Sequence, residues 1–318
     1  MEQQVKRVPY GVADFAQVIE QNQYYVDKTM FIPELEKQPS NLFFIRPRRF
    51  GKSIFLSMLY SYYDCAQSHK FQSLFGNLWI GQHPTPLQGK YQVLFLDFSQ
   101  ITGNIDKLET KFNSYLSINL DAFVRQYSEY YQAEMEEILA QEDFEEKMEL
   151  IFKAAKAHKY HLYLIIDEYD NFTNVILNER GEKVYHAITH ADGFYRDVFK
   201  KFKGNFERIF MMGVSPVTLD DVTSGFNIGW NISIKPEFDE MLGFSTKDVV
   251  EMFTYYKEMG SIPADSDVEA IVNDMKPWYD NYCFAKQALR KNVRMFNCDM
   301  VLYYLRNYMD YGQAPEQM

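Results

Sequence analysis

The stretch NLFFIRPRRFGKSIFLSML, Asn41 to Leu59, decides how the rest of the chain is read. Leu42–Ile45 is an apolar run of strand length, and from Ser53 to Tyr63 the residues Phe55, Met58, Leu59 and Tyr62 recur at helical spacing. Between them lies RPRRFGKS, Arg46–Ser53. A loop that leaves a strand and opens a helix gathers backbone N–H groups and the positive end of the helix dipole, which together suit an anion. Gly51 permits a left-handed backbone closed to most side chains. Lys52 would then place an ammonium on the β- and γ-phosphates of a nucleotide, and the Ser53 hydroxyl would ligate Mg2+. The pattern G-x-x-x-x-G-K-[ST] is met at its last three positions and missed at its first, where Arg46 stands; Pro47 offers rigidity instead. Arg46, Pro47, Arg48, Arg49, Phe50, Gly51, Lys52, Ser53 and Ile54 are therefore the candidate nucleotide-binding residues. The competing reading is a surface turn before a helix. The strand before it, the helix after it and a carboxylate downstream weigh against that.

That carboxylate stands in LYLIIDEYD, Leu162–Asp170. A buried strand ending in Asp167 delivers the side chain to the carboxyl edge of an open α/β sheet, where ligands bind. Asp167 would hold Mg2+, through a coordinated water, and Glu168 would orient and deprotonate an attacking water. Alone, an Asp-Glu pair at a strand end reads as a solvated turn; beside the GKS loop it reads as a metal and water site.

Further apolar runs, YQVLFLDF (Tyr91–Phe98) and RIFMMGV (Arg208–Val214), complete a set of strands separated by helical patterns. Leu108, Phe112, Leu116 and Leu120, then Phe144, Met148, Ile151, Phe152 and Ala155, carry helical periodicity between about 104 and 157. This predicts an α/β fold, a P-loop NTPase parallel sheet with helices on both faces. Tyr91–Phe98 falls between the loop strand and the Asp167 strand in the sequence. That resembles the branch of phosphate-loop NTPases with an extra core strand and a catalytic glutamate, which includes AAA and STAND ATPases. In that branch the next strand ends on a polar sensor; Ser215 is the nearest match, and a turn serine before Pro216 is the alternative.

From Pro236 the character changes to short helices (246–259, 267–275 and 298–308) joined by Gly, Pro and Asn turns. Two domains are expected: residues 1–235 as an ATPase domain of AAA type, and 236–318 as a smaller, mostly helical, winged-helix-like lid.

Composition narrows the function classes. The 318 residues carry 33 Lys and Arg against 44 Asp and Glu, a formal net charge of −11, which opposes the phosphate attraction on which nucleic-acid binders depend. Hydrophobic residues make up 47% and aromatics 17%, enough for a substantial core. The three cysteines form no CxxC pair, and neither a signal-length apolar run at the start nor a membrane-spanning run elsewhere is visible, so the expected setting is cytoplasmic without membrane association.

Several segments together resemble one bacterial family: YGVADFAQVIEQNQYYVDKTMFI, FIRPRRFGKSIFLSML, LIIDEYDN, GVSPVTLDDVTSGFNI, WYDNYCF and VRMFN. They are similar to the AAA-ATPase-like family, whose members often carry a C-terminal PD-(D/E)XK nuclease-type domain. The resemblance runs along nearly the whole chain, and it implies that RPRRFGKS with Arg46 is the usual form of the loop there. It also implies that Tyr25, Val26, Asp27 and Lys28 lie near the nucleotide base, a helix-capping role being the alternative. The nuclease-type domain is expected to be absent from these 318 residues. The two ExK triplets, Glu109–Lys111 and Glu145–Lys147, lie in helical patterns and read as solvated faces.

Other residues stay open. His186 and His190 have metal-compatible spacing, with helix packing the simpler reading. Ser99, Gln100 and Asn171 could assist the water. Arg180, Arg196, Arg290 and Arg294 are candidate arginine fingers, and Cys283 reads as a small buried residue. The leading expectation is an ATP-binding, ATP-hydrolysing module with Mg2+. A nucleotide-gated switch controlling an effector domain is the alternative, a nucleic-acid-processing enzyme a third. Thr29 is expected to cap a helix through Met30–Leu35, and an oligomer is left open.

Overall fold

The computed structural model describes residues 4–101, 107–171, 176–177, 181, 194–215, 229–279, 282–291 and 293–316. Five parallel strands form the main sheet: β1 (Asn41–Ile45), β2 (Gln92–Asp97), β3 (Leu162–Asp167), β4 (Arg208–Gly213) and β5 (Trp230–Asn231), in the order β2-β3-β4-β1-β5. Four of them lie where the apolar runs predict. The strand that comes between the loop strand and the Asp167 strand in sequence, β2, sits at the sheet's edge; the one that lies between them in space is β4. No apolar run marks the fifth strand. It is two residues long and exposed, so it carries no buried run to read.

Because side chains alternate along a strand, the sheet divides its residues cleanly between two cores. Phe43, Leu94, Leu96, Leu164, Ile166, Ile209 and Met211 face one way, against Phe112 and Leu116 of helix Leu108–Gln126, Met148 and Ile151 of helix Phe144–His158, and Phe199 and Phe202 of helix Phe194–Asn205. Leu42, Phe44, Val93, Tyr163, Ile165, Phe210 and Met212 face the other way, against Phe55, Met58, Leu59 and Tyr62 of helix Lys52–Tyr63. Helices thus cover both faces, and β1 to β4 read as mainly apolar runs for that reason. The helical stretch expected from 104 to 157 is divided into Leu108–Gln126, Met135–Ala140 and Phe144–His158, the last capped by the Asp143 carboxylate.

After residue 243 a third core forms. Val249, Met252, Phe253, Val272, Met275, Val301, Leu302 and Leu305 come together from helices Thr246–Glu258, Val268–Tyr279 and Cys298–Tyr311. A short antiparallel pair, β6 (Phe244–Ser245) with β7 (Met295–Phe296), ties its ends, and the N-terminal Val8, Tyr24 and Val26 pack on it. Phe238, Met241 and Leu242 belong instead to the core under the sheet. Among the described residues no helix is long and apolar enough to cross a membrane.

The strand order places the site. The chain leaves β1 toward the β2 edge and leaves β4 toward the β5 edge, so the connections part near the carboxyl ends of these neighbours, opening a crevice there.

Candidate functional site

The loop after β1 is shaped by two left-handed residues, Arg49 at φ 67° and Gly51 at φ 83°. At Gly51 a Cβ would meet only ordinary contacts, Ile54 at 3.6 Å and Cys298 at 3.7 Å, so it is the backbone angle that asks for glycine. Helix Lys52–Tyr63 begins immediately afterwards, and its N-cap residue, Gly51, has no side chain with which to cap it. Its leading N–H groups therefore face the loop with free donor capacity. Lys52 is nearly buried, and its ammonium donates to the carbonyls of Pro47 (3.1 Å) and Arg46 (3.4 Å). Burial pushes its pKa down, while Asp167, Glu168 and Asp170 pull it back up and Arg48 adds to the lowering.

The first turn of helix Lys52–Tyr63 meets the end of β3 where the Ser53 Oγ donates to Asp167 Oδ2 at 2.5 Å. Asp167 is 4% exposed, and burial raises its pKa to about 6. Hydrogen bonding from Ser53 and the charge of Lys52 lower it; the neighbouring Asp97 and Glu168 raise it. A serine hydroxyl and a carboxylate in contact form a hard oxygen pair, and the rest of an octahedral shell would fall to water and phosphate oxygens, as Mg2+ prefers. The residues present fit that ion. Next in the chain, Glu168 adopts φ 49°, left-handed for a non-glycine residue, and its side chain borders the cavity described below.

That cavity, about 410 Å³, is lined by Arg48–Phe55 and Glu168, by Val12, Tyr24, Tyr25 and Lys28 from the N-terminal segment, and by Leu242, Phe244, Asp299 and Leu302 from the C-terminal part. Its lining mixes cationic and apolar side chains, and its volume is within the size range of small-molecule sites. The C-terminal helix reaches the loop directly. Asn297 caps helix Cys298–Tyr311 by accepting from Asp299 and Met300 N–H, while its Nδ2 donates to Arg48 O at 3.2 Å. Asp299 pairs with Arg49 at 3.2 Å.

The expected residues divide accordingly. Arg48, Arg49, Phe50, Gly51, Lys52, Ser53, Ile54, Tyr25 and Glu168 border one cavity, with Asp167 against Ser53. Tyr25 is half-buried, and its ring meets Phe15 edge-on. Arg46, Pro47 and Asp27 do not border it. The Arg46 guanidinium is buried, stacked between Phe44 (4.0 Å) and Phe284 (3.8 Å), and donates to Ile45, Ser233 and Phe238 carbonyls. Its part in the loop is thus to anchor it from behind. The Asp27 carboxylate accepts from Thr29 N–H, Thr29 hydroxyl and Trp79 N–H. It does the capping expected of Thr29, because its oxygens reach the N–H groups and Thr29 itself lies inside the turn. Ser215, at the end of β4, is away from the cavity lining; its N–H donates to Asp170 and its carbonyl accepts from Tyr169.

Arg196, Arg290 and Arg294 do not line the cavity; Arg180, His186 and His190 lie outside the described residues. Both ExK triplets are helical, and Lys147 is paired with Asp121. Ser99 and Gln100 follow β2 beside Asp97, and the Cys283 thiol faces the Ala285 carbonyl. Asn297, Cys298 and Asp299 belong to the surroundings of the loop without any motif in the sequence to assign them there. Nothing local marks them, since their partners Arg48, Arg49 and Gly51 lie some 250 positions away.

A five-stranded parallel sheet with this order, a strand-loop-helix carrying GKS and a serine hydroxyl touching the aspartate of a nearby strand define a nucleotide-binding protein of the phosphate-loop class. A family model described as "Predicted AAA-ATPase" matches residues 9–223, and the chain belongs to this AAA-ATPase-like family. It is also 26% identical over 293 residues to an Azotobacter chroococcum mcd 1 protein named "Uncharacterized protein in vnfD 5'region". That match covers 89% of this chain and 50% of that protein, so the chain spans about half of that relative's length.

Proposed function

We propose that the chain binds ATP with Mg2+ in the 410 Å³ cavity and hydrolyses it to ADP and phosphate. The observation that carries this is the Ser53–Asp167 contact at the foot of a cavity that Lys52 and Glu168 also border. The loop N–H groups and the Lys52 ammonium would cradle the β- and γ-phosphates, with Lys52 exchanging its loop carbonyls for phosphate oxygens. Ser53 and Asp167 would hold the ion. Bound Mg2+ would supply charge neutralisation on the γ-phosphoryl group during transfer. Glu168 would orient a water and accept its proton as the water oxygen bonds to the γ-phosphorus. The bond to the β–γ bridging oxygen then breaks, and its electron pair leaves with ADP. Most of the catalysis in such a site is positioning and charge stabilisation.

Lys52→Ala should abolish both binding and turnover. Glu168→Gln should keep binding and lose turnover by about 100-fold or more, since it removes the base and keeps the shape. Equal turnover by wild type and Glu168→Gln contradicts the assignment.

A second reading is a nucleotide-gated switch with little hydrolysis that controls an effector domain, nuclease-type by resemblance. It is favoured by the loop's direct ties to the C-terminal helix through Asn297 and Asp299. Tight ATP binding with negligible turnover would select it. The three free cysteines support a cytoplasmic setting.

A further inference from the structure

Glu168 occupies a left-handed backbone region that disfavours a non-glycine residue, so something around it must hold it there. The structure shows what does. Its own N–H donates to Asp167 Oδ1 at 2.9 Å, and its carbonyl accepts from Asn171 N–H at 2.9 Å. The two residues that follow it are fastened to the end of β4. Tyr169 N–H donates to Met212 O at 3.2 Å, and the Tyr169 hydroxyl donates to Ser215 O at 2.6 Å. Tyr195 of helix Phe194–Asn205 donates to the Tyr169 carbonyl. The Asp170 carboxylate, 1% exposed, accepts from Val214 N–H (3.1 and 3.2 Å) and from Ser215 N–H (2.6 Å).

Gly213 makes this approach close. A Cβ there would lie 2.5 Å from the Tyr169 ring and 2.6 Å from Asp170 Oδ1. A buried carboxylate receiving backbone N–H groups is a charge-assisted contact, stronger than neutral pairing and costly to break. Nothing in a solvated turn calls for such a carboxylate; toward the loop its charge also favours the cationic form of Lys52.

We infer that Asp170, with Tyr169, is a positioning residue: it clamps the turn bearing Glu168 onto the end of β4, fixing the Glu168 carboxylate for proton transfer without touching nucleotide. This rests on the ATPase reading given above. The clamp also makes the placement of Glu168 depend on residues 213–215, so displacement of that strand end would reach the base through Asp170.

The experiment compares wild type, Glu168→Gln, Asp170→Asn and Tyr169→Phe for fluorescent ATP-analogue affinity and for kcat and KM of ATP hydrolysis. Asp170→Asn should lower kcat by about tenfold or more, a much larger factor than any change in nucleotide Kd, because orientation is the main loss and its charge acts on Lys52 without contact. Tyr169→Phe should lower kcat in the same sense by a smaller factor, and it decides the matter by the same criteria if Asp170→Asn does not fold. Wild-type kcat in Asp170→Asn while Glu168→Gln is inactive overturns the clamp and leaves the ATPase reading standing. A parallel loss of affinity and kcat also overturns it, since the role would then be in forming the pocket. Full turnover by Glu168→Gln, or no ATP binding by wild type, sinks the ATPase reading and the clamp together.

Discussion

Arg46 stands where a phosphate loop ordinarily has its first glycine, and the reason is visible in its surroundings. Its guanidinium is 1% exposed and sandwiched by two rings; its two terminal nitrogens donate to three carbonyls, two of which come from residues 233 and 238, while Nε has no partner among the described residues. Burial pushes its pKa down to about 9, opposed by nearby Asp239, so it stays charged at neutral pH. Removing a buried, hydrogen-bonded cation strands its acceptors, and Arg46→Ala should cost about 3–5 kcal/mol by denaturant unfolding. A loss below about 1 kcal/mol would show that the stack is incidental. Asp167 gives a second residue-scale expectation. Its pKa rises from 3.8 to about 6 on folding, so the folded state favours the protonated form. The stability this contributes is complete below pH 4 and is lost as pH rises through 6, on the order of 3 kcal/mol. Asp167→Asn should therefore gain stability relative to wild type between pH 4 and 7, read as the difference between their unfolding free energies. A pH-independent difference would mean that burial does not govern this carboxylate.

At the scale of elements, the loop and the helix it opens form one device. Gly51 supplies the left-handed turn, and Gly51→Ala should cost about 1–2 kcal/mol while weakening nucleotide binding, because strain rather than collision opposes the new methyl. Unchanged stability in that variant would count against the strained turn. The elements that carry this device were legible in the sequence. Buried parallel strands read as apolar runs, and Phe55, Met58, Leu59 and Tyr62 announce their helix by spacing. What escaped was short or distant. β5 and the β6–β7 pair are two-residue strands without periodicity, and β2 gave no sign that it would take the edge. The roles of Arg46 and Asp27 escaped for another reason. A charged residue in a binding motif invites a ligand role, yet each is used by partners far along the chain, Phe284 for one and Trp79 for the other.

For the whole molecule, the cavity lies where three parts of the chain meet: the N-terminal segment, the sheet's carboxyl edge and the C-terminal helices. Nucleotide bound there would be enclosed by all three. Asn297 and Asp299 already link the last helix to the loop, so bound nucleotide should slow amide exchange in residues 298–305 as well as in 48–55. Protection confined to the loop would separate the C-terminal part from the nucleotide and weaken the switch reading. In a chain of net charge −11, Arg48, Arg49 and Lys52 gather at the cavity lining.

The central claim, that a magnesium-bound triphosphate sits on the loop between Ser53 and Asp167, is tested most directly by thermal unfolding against ATP concentration, with and without Mg2+. A ligand that binds only the folded state must raise Tm in proportion to the logarithm of its excess over Kd. Wild type should show a Tm that climbs with ATP and climbs further with Mg2+, the climb vanishing in Lys52→Ala and the magnesium increment vanishing in Asp167→Asn. A wild-type Tm indifferent to millimolar Mg2+ and ATP, or one that rises equally in Lys52→Ala, would contradict it.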